Sequence, residues 1–312
     1  MLLTQLRYFE ALARERHFGR AAASCFVTTS TLSEAIRKLE AELKVPLVNR
    51  GRSTYRGLTP EGELVLSYAR RIVTDHRALV EDLSARRGQL ETTVRLGVIP
   101  AGLSRGTAVL EALCRENPGV SVDLVAGLRS EEILAKLQSA ELDAGIIHPA
   151  LGSAQSVTGL HVTDLGSVDF VLLAAEDLVP EDKTMMTGAD LVDTPVAVLS
   201  PGMRAREEFD RAMADAGVPV APAAEADSVE ALRALAATGR WAAVVPADGT
   251  GGTGEAGGIG GAAGVGQRLR VRGLADPAVR VPVVLARLDT RPVSALATAL
   301  DKAVDNVLDK AL

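Results

Sequence analysis

The sequence predicts two parts: a small all-α N-terminal domain with a winged helix-turn-helix, and a larger C-terminal α/β domain. Three observations lead to this fold class. The chain has 312 residues, more than one small core usually holds, which favours two or more domains. Residues 1–90 carry 15 Lys and Arg against 10 Asp and Glu, whereas residues 91–312 carry 19 against 30. Apolar residues recur at helical spacing up to Leu83, and strand-like and helix-like segments alternate beyond residue 93.

The composition excludes several classes of protein. Apolar residues make up 47% of the chain and charged residues 24%, as in a folded globular protein. No run approaches ~18 apolar residues, and the N-terminus lacks the features of a signal peptide, so we expect a cytoplasmic protein without a membrane partner. Cys25 and Cys114 lie far apart, and the four histidines follow no metal-binding spacing. We therefore expect no metal and no cofactor.

The first helices predict a helix-turn-helix. Apolar residues at helical spacing indicate the first helix: Leu2, Leu6, Phe9, Leu12 and Ala13. The alanines at 21–23 favour a short helix packed closely on a neighbour, and Thr29 or Ser30 can cap the next helix. That next helix has one inward stripe, formed by Leu32, Ile36, Leu39 and Leu43. A short helix, a turn and a second helix with a polar outer face are typical of this motif.

The outer face of the second helix predicts the DNA contacts. Its centre lies at Ser30, Glu34 and Arg37, with Ser33 and Lys38 at the flanks. We expect base edges to be read by Ser30, Ser33, Glu34 and Arg37. Arg37 suits a guanine, and Glu34 suits a cytosine amino group. The alternative for Glu34 is a plain ion pair with Lys38 at i+4. We expect the DNA backbone to be held mainly by Thr28, Thr29, Arg50, Arg52 and Arg56, the arginines lying in a basic hairpin or wing.

A long helix follows, with Thr59 as its N-cap and Pro60 at its first position. A heptad-like spacing links Val65, Ala69, Ile72, His76, Leu79 and Leu83. This seam predicts a coiled-coil dimer contact, and the alternative is packing on its own domain. The expected boundaries are 1–58 for the winged domain, 59–91 for the linker helix and hinge, and 92–312 for the α/β domain.

The rest of the chain alternates strands and helices. Strands are expected at "VRLGVIP", "VSVDLVAG", "DFVLLAAE", "PVAVLS", "WAAVVP" and "VRVPVVLARL", with helices between most of them. This order predicts a parallel sheet. Residues 249–254 match G-x-G-x-x-G, but no helical pattern follows, and ten glycines lie between Gly249 and Gly266. We therefore expect 249–266 to be a flexible insertion and not a nucleotide site.

The N-terminal segment resembles the winged helix-turn-helix of LysR-type transcriptional regulators. The resemblance lies in one ungapped frame: Phe18, Ala21, Ala22, Val27, Ser33, Ile36, Leu39, Glu40, Leu43, Val45, Pro46, Leu47, Arg50, Leu58, Thr59, Pro60 and Gly62. Cys25, Lys44 and Val48 depart from the family at packing or turn positions. Thr29 and Glu34 depart from it on the expected DNA face, so relatives do not give the operator sequence.

The back half resembles the effector-binding domain of the same family, through "AELDAGI", "AEADSVEALRALAATGRWAAVVP" and "RVPVVLARL". Trp241 stands where a second glycine is usual. The resemblance implies a periplasmic-binding-protein-like fold of two lobes joined by crossing strands. Lobe I would cover 92–165 and 272–312, and lobe II would cover 166–271.

By this resemblance an effector binds between the lobes, where strand ends and helix N-termini meet. The expected residues form four segments: Ile99, Pro100, Ala101, Gly102, Leu103 and Ser104; Gly127, Leu128, Arg129 and Ser130; Ser200, Pro201, Gly202, Met203 and Arg204; Val245 and Pro246. Helix N-termini with Arg129 and Arg204 favour a small carboxylate, and the alternative is that both arginines are solvated.

The sequence thus predicts a bacterial transcriptional regulator and not an enzyme. Its expected partners are a double-stranded DNA operator, a small-molecule effector and further copies of itself, as a homodimer or homotetramer. One alternative is a stand-alone α/β binding or catalytic protein, for which the helix-turn-helix would have no use. Another is control by oxidation of Cys114, which has no neighbouring cysteine to resolve it.

Overall fold

The computed structural model describes residues 1–50, 55–88, 90–149, 159–179, 183–247 and 268–311. The N-terminal domain comprises α1 (Leu3–Glu15), α2 (Phe18–Ser24), α3 (Thr29–Leu43) and a hairpin of β1 (Val48–Arg50) and β2 (Tyr55–Leu58). The two strands pair antiparallel, with Val48 opposite Leu58. This is the predicted winged helix-turn-helix, and Arg52 lies outside the described residues.

The core of this domain forms where α1, α2 and α3 pack with β1 and the start of the long helix that follows the hairpin. Leu32, Ile36 and Leu39 are fully buried, as their spacing predicts, whereas Leu43 is 36% exposed because it ends the helix. Thr28 caps α3 by accepting a hydrogen bond from the Thr31 backbone N–H at 3.2 Å. The cap therefore precedes both predicted positions, Thr29 and Ser30, because the helix begins at Thr29 itself.

The predicted linker helix is α4 (Pro60–Ala85). Its start is as expected: the Thr59 hydroxyl accepts from the Gly62 N–H at 2.9 Å, and Pro60 takes the first helical position. At 26 residues α4 is about 39 Å long. It leaves the N-terminal domain and reaches the α/β domain.

Lobe I contains β3 (Thr92–Val98), α5 (Leu103–Glu116), β4 (Val120–Ala126), α6 (Ser130–Gln138) and β5 (Ala144–Ile147). Strand β3 pairs in parallel with both β4 and β5. The C-terminal helix α10 (Ala295–Ala311) returns to pack on α5. The parallel arrangement follows from the strand-helix alternation of the sequence.

Lobe II contains β7 (Met185–Thr187), α7 (Gly188–Val192), β8 (Val196–Leu199), α8 (Arg204–Asp215), β9 (Ala224–Ala226), α9 (Val229–Ala237), β10 (Ala242–Pro246) and β11 (Leu269–Ala275). Strand β8 pairs in parallel with β9 and β10. The core of lobe II includes a stacked pair, Phe170 and Phe209, with ring centroids 6.2 Å apart. The glycine-rich segment 249–266 lies outside the described residues.

Two long strands cross between the lobes, β6 (Leu160–Ala175) and β12 (Arg280–Leu288). The first half of β6 pairs with β12, and its second half pairs with β10 and β11 in lobe II. The return to lobe I therefore begins at about Arg280 and not at residue 272 as expected. The reason is that all of β11 pairs with β6 and β7 within lobe II.

Candidate functional site

The first candidate site is the outer face of α3. The side chains of Thr28, Thr29, Ser30, Glu34 and Arg37 are exposed, and Ser33 is half-buried. Arg37 has no hydrogen bond or ion pair within the described residues. A helix face of this kind, on a buried apolar stripe, presents donors and acceptors to a major groove.

Glu34 also makes the ion pair that its spacing allows. Its carboxylate lies 2.9 Å from Lys38 Nζ, with both side chains about two-thirds exposed. The hydrogen bond from Lys38 and its charge lower the pKa of Glu34. The pair does not decide between the two predictions for Glu34, because an exposed i,i+4 pair is weak and breaks readily.

The wing is fixed to α3 by one carboxylate. Glu40 Oε1 accepts from the backbone N–H groups of Leu47 and Val48, at 2.9 and 3.2 Å. The Thr59 hydroxyl donates to the Pro46 carbonyl at 2.7 Å. These bonds hold the start of β1 against α3, and Arg56 on β2 is exposed. Arg50 and Arg56 are recognisable in the sequence as wing residues, whereas the role of Glu40 in holding the wing is visible only in the fold.

The predicted seam on α4 divides into two parts. Val65 and Ala69 pack in the core of the N-terminal domain, and Ala69 is fully buried there. The expectation that they contact a partner is therefore corrected in favour of own-domain packing. His76 is exposed. The remaining apolar members, Ile72, Leu79 and Leu83, are 39, 57 and 52% exposed. The exposed apolar stripe of Ile72, Leu79 and Leu83 thus begins only where α4 leaves the N-terminal domain.

The second candidate site is a cleft between the lobes, at the carboxyl ends of parallel strands, where such sheets commonly bind ligands. Lobe I contributes the end of β3, the start of α6 and the residue after β5. Lobe II contributes the end of β8, the starts of α8 and α9, and the end of β10. Its lining residues are Ile99, Pro100, Ala101, Leu128, Arg129, Ser130, Glu131, His148, Leu199, Met203, Arg204, Ala205, Val229 and Pro246.

The cleft is narrow and mainly apolar. Its cavity volume is about 40 Å³, room for about three water molecules in this arrangement of side chains.

An ion pair joins the lobes across this cleft. Arg204 Nε, at the start of α8 in lobe II, lies 3.1 Å from Glu131 Oε1, at the start of α6 in lobe I. A second carboxylate, Glu207, lies 2.9 Å from Arg204 Nη1. Arg129 is exposed and has no ion-pair partner within the described ranges. Arg204 is thus already neutralised by protein carboxylates, whereas Arg129 is not.

His148 adds a neutral imidazole to the cleft. Its ring Nδ1 lies 2.8 Å from the Pro282 carbonyl and therefore donates to it, and its backbone N–H donates to the Ser130 hydroxyl at 3.1 Å. Burial lowers the pKa of His148, so the ring is neutral at pH 7. The remaining ring nitrogen, Nε2, is then a hydrogen-bond acceptor without a partner in the described part of the chain.

Most of the predicted cleft residues meet in space, but not all. Three of the four predicted segments contribute two or more lining residues each, and Pro246 represents the fourth. Eight predicted residues do not line the cavity: Gly102, Leu103, Ser104, Gly127, Ser200, Pro201, Gly202 and Val245. Gly102 is buried where a Cβ would lie 2.4 Å from Ile146 Cγ2, so it serves packing. Leu103 and Ser104 are exposed on α5, and Gly127 and Gly202 are exposed turn residues with positive φ.

Five lining residues were missed: Glu131, His148, Leu199, Ala205 and Val229. His148 directly follows the buried run of β5, and the strand-end rule that selected Ile99 applies to it equally. Glu131 follows Arg129 and Ser130, but only the fold shows that it faces Arg204.

Neither cysteine lies in either site. Cys25 follows α2, and Cys114 is on α5, with Sγ 3.8 Å from the Val120 carbonyl. Burial raises the pKa of the Cys114 thiol. Within the described ranges, no cluster of three or more His, Cys, Asp or Glu side chains is arranged to hold a metal. The same residues include no helix long and apolar enough to span a membrane.

The fold and these two sites define a class: a winged helix-turn-helix protein with a two-lobe ligand-binding domain. Comparison with known families agrees. The family model "Bacterial regulatory helix-turn-helix protein, lysR family" matches residues 3–63, and "LysR substrate binding domain" matches residues 87–259. The chain belongs to the LysR family of bacterial transcriptional regulators.

Individual relatives are regulators and not enzymes. The chain is 37% identical over 172 residues to a probable hydrogen peroxide-inducible genes activator of Mycobacterium xenopi, covering 54% of this chain and 87% of the relative. It is 30% identical to the DNA-binding transcriptional dual regulator OxyR of Escherichia coli, over 79% of each chain. A solved full-length OxyR variant from Pseudomonas aeruginosa is 27% identical, with a TM-score of 0.74 over 98% of this chain and 94% of that one.

Proposed function

We propose that a small anion is the effector of this regulator, and that it binds Arg204 in place of Glu131. The observation that carries this proposal is the Arg204–Glu131 pair across the cleft. A carboxylate already occupies the position that an anionic ligand would take. An effector would therefore exchange one carboxylate for another and release the contact between the lobes.

Other features of the cleft support an anion. Helices α6 and α8 both begin there, and neither has a side-chain oxygen from its N-cap residue on its first N–H groups. Helix N-termini favour negative charge. Arg129 supplies a further positive charge, and the apolar lining favours a carboxylate with a small hydrophobic body. The narrow cavity is enlarged when the Arg204–Glu131 pair breaks, as the proposed exchange requires.

A thermal-shift series tests the proposal. Small carboxylates and their neutral amides are added to the full-length protein. A ligand at about 100 times its Kd stabilises the folded state by about 2.7 kcal/mol, which raises Tm by several degrees. We expect a carboxylate to do this and its amide to fail.

Three variants identify the site. Arg204→Ala should abolish the shift, and Glu131→Gln should lower the concentration needed, because it removes the competing carboxylate. The matched control is Arg211→Ala, on the same helix, where the arginine pairs with Glu208 and does not line the cleft. If a carboxylate still raises the Tm of the Arg204→Ala variant, the proposed replacement of Glu131 by the ligand is refuted.

On DNA, we propose that Ser30, Ser33, Glu34 and Arg37 read base edges, with Lys38 beside them. Thr28, Thr29 and the wing arginines would hold the DNA backbone.

Regulators of this family bind DNA operators as oligomers, and for this chain we propose a dimer through Ile72, Leu79 and Leu83, assembling further to a tetramer. The proposed place of action is the cytoplasm, where the operator is.

We do not carry over the peroxide response in the names of some relatives. The whole chain contains only Cys25 and Cys114. They belong to different domains, and the raised pKa of the Cys114 thiol disfavours the reactive thiolate. A ligand in the cleft is therefore the better supported effector.

A further inference from the structure

The cleft contains two buried polar side chains whose hydrogen-bonding capacity is not filled by the described residues. His148 directly follows β5 and is 6% exposed, and Ser130 opens α6 and is 5% exposed. Both line the cavity. The His148 backbone N–H donates to the Ser130 hydroxyl oxygen at 3.1 Å, so the two residues are neighbours. The proposed exchange of carboxylates at Arg204 uses neither of them.

The tautomer of the His148 ring is fixed by the crossing strand β12. Its Nδ1 lies 2.8 Å from the carbonyl oxygen of Pro282, which belongs to that strand. Because a carbonyl can only accept, the one proton of the neutral ring must be on Nδ1. The bare lone pair of Nε2 is thus imposed by the fold, on the side of the ring that points away from Pro282.

The Nε2 atom of His148 is open to the cleft. Within the described ranges, the side-chain nitrogen and oxygen atoms that are closed off from solvent without a partner are all arginine Nε atoms, those of Arg70, Arg77, Arg233 and Arg272. His148 Nε2 has no partner in those ranges either, but it is not closed off, so it belongs to the small part of the residue that solvent reaches. Since His148 lines the cavity, that solvent is the solvent of the cleft.

Ser130 presents the complementary half of a hydrogen bond. Its oxygen accepts from the His148 backbone N–H, whereas its hydroxyl proton has no acceptor among the residues that the structure describes. A serine hydroxyl turns its proton toward whichever acceptor is near. Ser130 and His148 therefore offer a ligand one donor and one acceptor from neighbouring positions on lobe I.

Among common ligand groups, a hydroxyl matches this pair, because it can accept from Ser130 and donate to His148 Nε2 at once. A keto or carboxylate oxygen only accepts, and an ammonium group only donates. A ligand that covers Nε2 without donating to it displaces solvent and leaves a buried acceptor unpaired. Such a loss lowers affinity roughly 5- to 150-fold.

We propose that the effector is a small hydroxycarboxylate, with its carboxylate on Arg204 and its hydroxyl held between Ser130 and His148 Nε2. This inference rests on the proposed binding of a small anion at Arg204. Arg204 and His148 line the same small cavity from opposite lobes, so a ligand of a few carbon atoms touches both. His148 is then a specificity-determining residue, which rejects analogues that bring no donor to Nε2.

The test uses the full-length protein and a set of four-carbon probes: butyrate, α-hydroxybutyrate, β-hydroxybutyrate, α-oxobutyrate and α-aminobutyrate. Titration calorimetry gives the Kd of each. We expect one of the hydroxybutyrates to bind at least about tenfold more tightly than butyrate and the oxo and amino probes. Butyrate or α-oxobutyrate binding as tightly as both hydroxybutyrates would overturn the inference and leave the anion site standing. Failure of every probe would instead refute the proposed anion site, and this inference with it.

Variants assign the preference to His148. His148→Gln puts an amide oxygen near the place of Nε2 and should keep part of the preference for the hydroxyl. His148→Leu removes the acceptor and should reduce the ratio of the two Kd values to less than about twofold. The matched control is His161→Gln, at an exposed histidine of β6 outside the cleft, which should keep the full ratio. A His148→Leu protein with the wild-type ratio would overturn the inference.

A spectroscopic measurement on the wild type decides the question even if the Leu variant folds poorly. The chain has four histidines, so magic-angle-spinning ¹⁵N NMR of ring-labelled protein gives few signals, and His148→Gln assigns those of His148. In the free protein we expect a protonated Nδ1 and a bare Nε2. The tighter hydroxybutyrate should move the Nε2 signal toward that of a hydrogen-bonded nitrogen, and butyrate should not. A proton on Nε2 in the free protein, or an Nε2 signal that bound hydroxybutyrate leaves in place, would overturn the inference.

Discussion

The proposed DNA-reading face of α3 and the inter-lobe cleft differ in how their charged groups are paired. On α3, Arg37 is exposed and without an ion-pair partner in the described ranges, and Glu34 has only an exposed pair at i+4. In the cleft, Arg204 is held by carboxylates from both lobes, and His148 is buried and neutral. The α3 face offers an arginine without an ion-pair partner in the described ranges, whereas an anion that binds Arg204 in the cleft would have to displace a protein carboxylate.

This difference explains what each site can do. Unpaired exposed groups confer affinity and base preference, because nothing in the protein competes for them. A paired group in a closed cleft couples binding to a change of shape, because the ligand must differ in its affinity for the two arrangements. A regulator needs both, and α4 lies between them.

The largest expected effect concerns the proposed dimer seam on α4, which would bring two reading faces together. Replacing Ile72 and Leu79 with Asp should reduce operator affinity at least about 100-fold, because each buried apolar side chain contributes about 1.5–3 kcal/mol to association. Sedimentation of the variant should show the dissociated species, and a gel shift gives the loss of binding. Val192→Asp, at an equally exposed apolar residue of lobe II, is the control. Unimpaired binding by a monomeric variant would show that one reading face is sufficient.

The next effect tests whether the α3 face reads bases. Arg37→Ala should cost about 1–3 kcal/mol at the operator, the usual value of a bidentate contact to guanine. Glu34→Gln should change the preferred base at one position of each half-site. The matched control is Lys38→Gln, which breaks the Glu34–Lys38 pair but keeps the carboxylate, and should weaken all sequences alike. The readout is the base preference of each variant on a randomised site. A Glu34→Gln protein with altered affinity and unaltered preference would show that Glu34 does not read.

The α3 face was predictable because it is a local feature. Helical spacing alone separates the buried Leu32 and Ile36 from the exposed Glu34 and Arg37. The same reasoning located α4 and its cap at Thr59. It failed for Val65 and Ala69, because their spacing is equally compatible with a partner or with the core of the domain that precedes them.

The cleft was predictable only in part, because four distant segments build it. The resemblance to the effector-binding domain, applied to strand ends and helix N-termini, selected four segments that each contribute to the cleft lining. It could not tell which residues of each loop turn inward, so Leu103 and Gly127 were included and His148 was missed. The pairing of Arg204 with Glu131 joins residues 73 positions apart, and no local pattern carries that information.

The smallest expected effect lies at the junction between the two regions. Glu81 is buried, with Arg77 and Asp82 on its own helix and Thr92 and Asp143 facing it from lobe I. Burial is the largest cause and raises the pKa of Glu81; the Thr92 hydrogen bond and Arg77 oppose it. The folded protein then holds this proton more tightly than the unfolded chain does. Ionised Glu81 therefore lowers the free energy of unfolding at pH values above its folded pKa, and this destabilisation disappears as pH falls toward 4.5.

Glu81→Gln cannot ionise, so its Tm should exceed that of the wild type at pH 8, by about 2 °C or less. The difference should shrink as pH is lowered to 5, when both proteins are compared by calorimetry. Glu111→Gln, at an exposed carboxylate, should show no such trend. A Glu81→Gln protein less stable than the wild type at pH 8 would mean that the Arg77–Glu81 contact outweighs the burial of its charge.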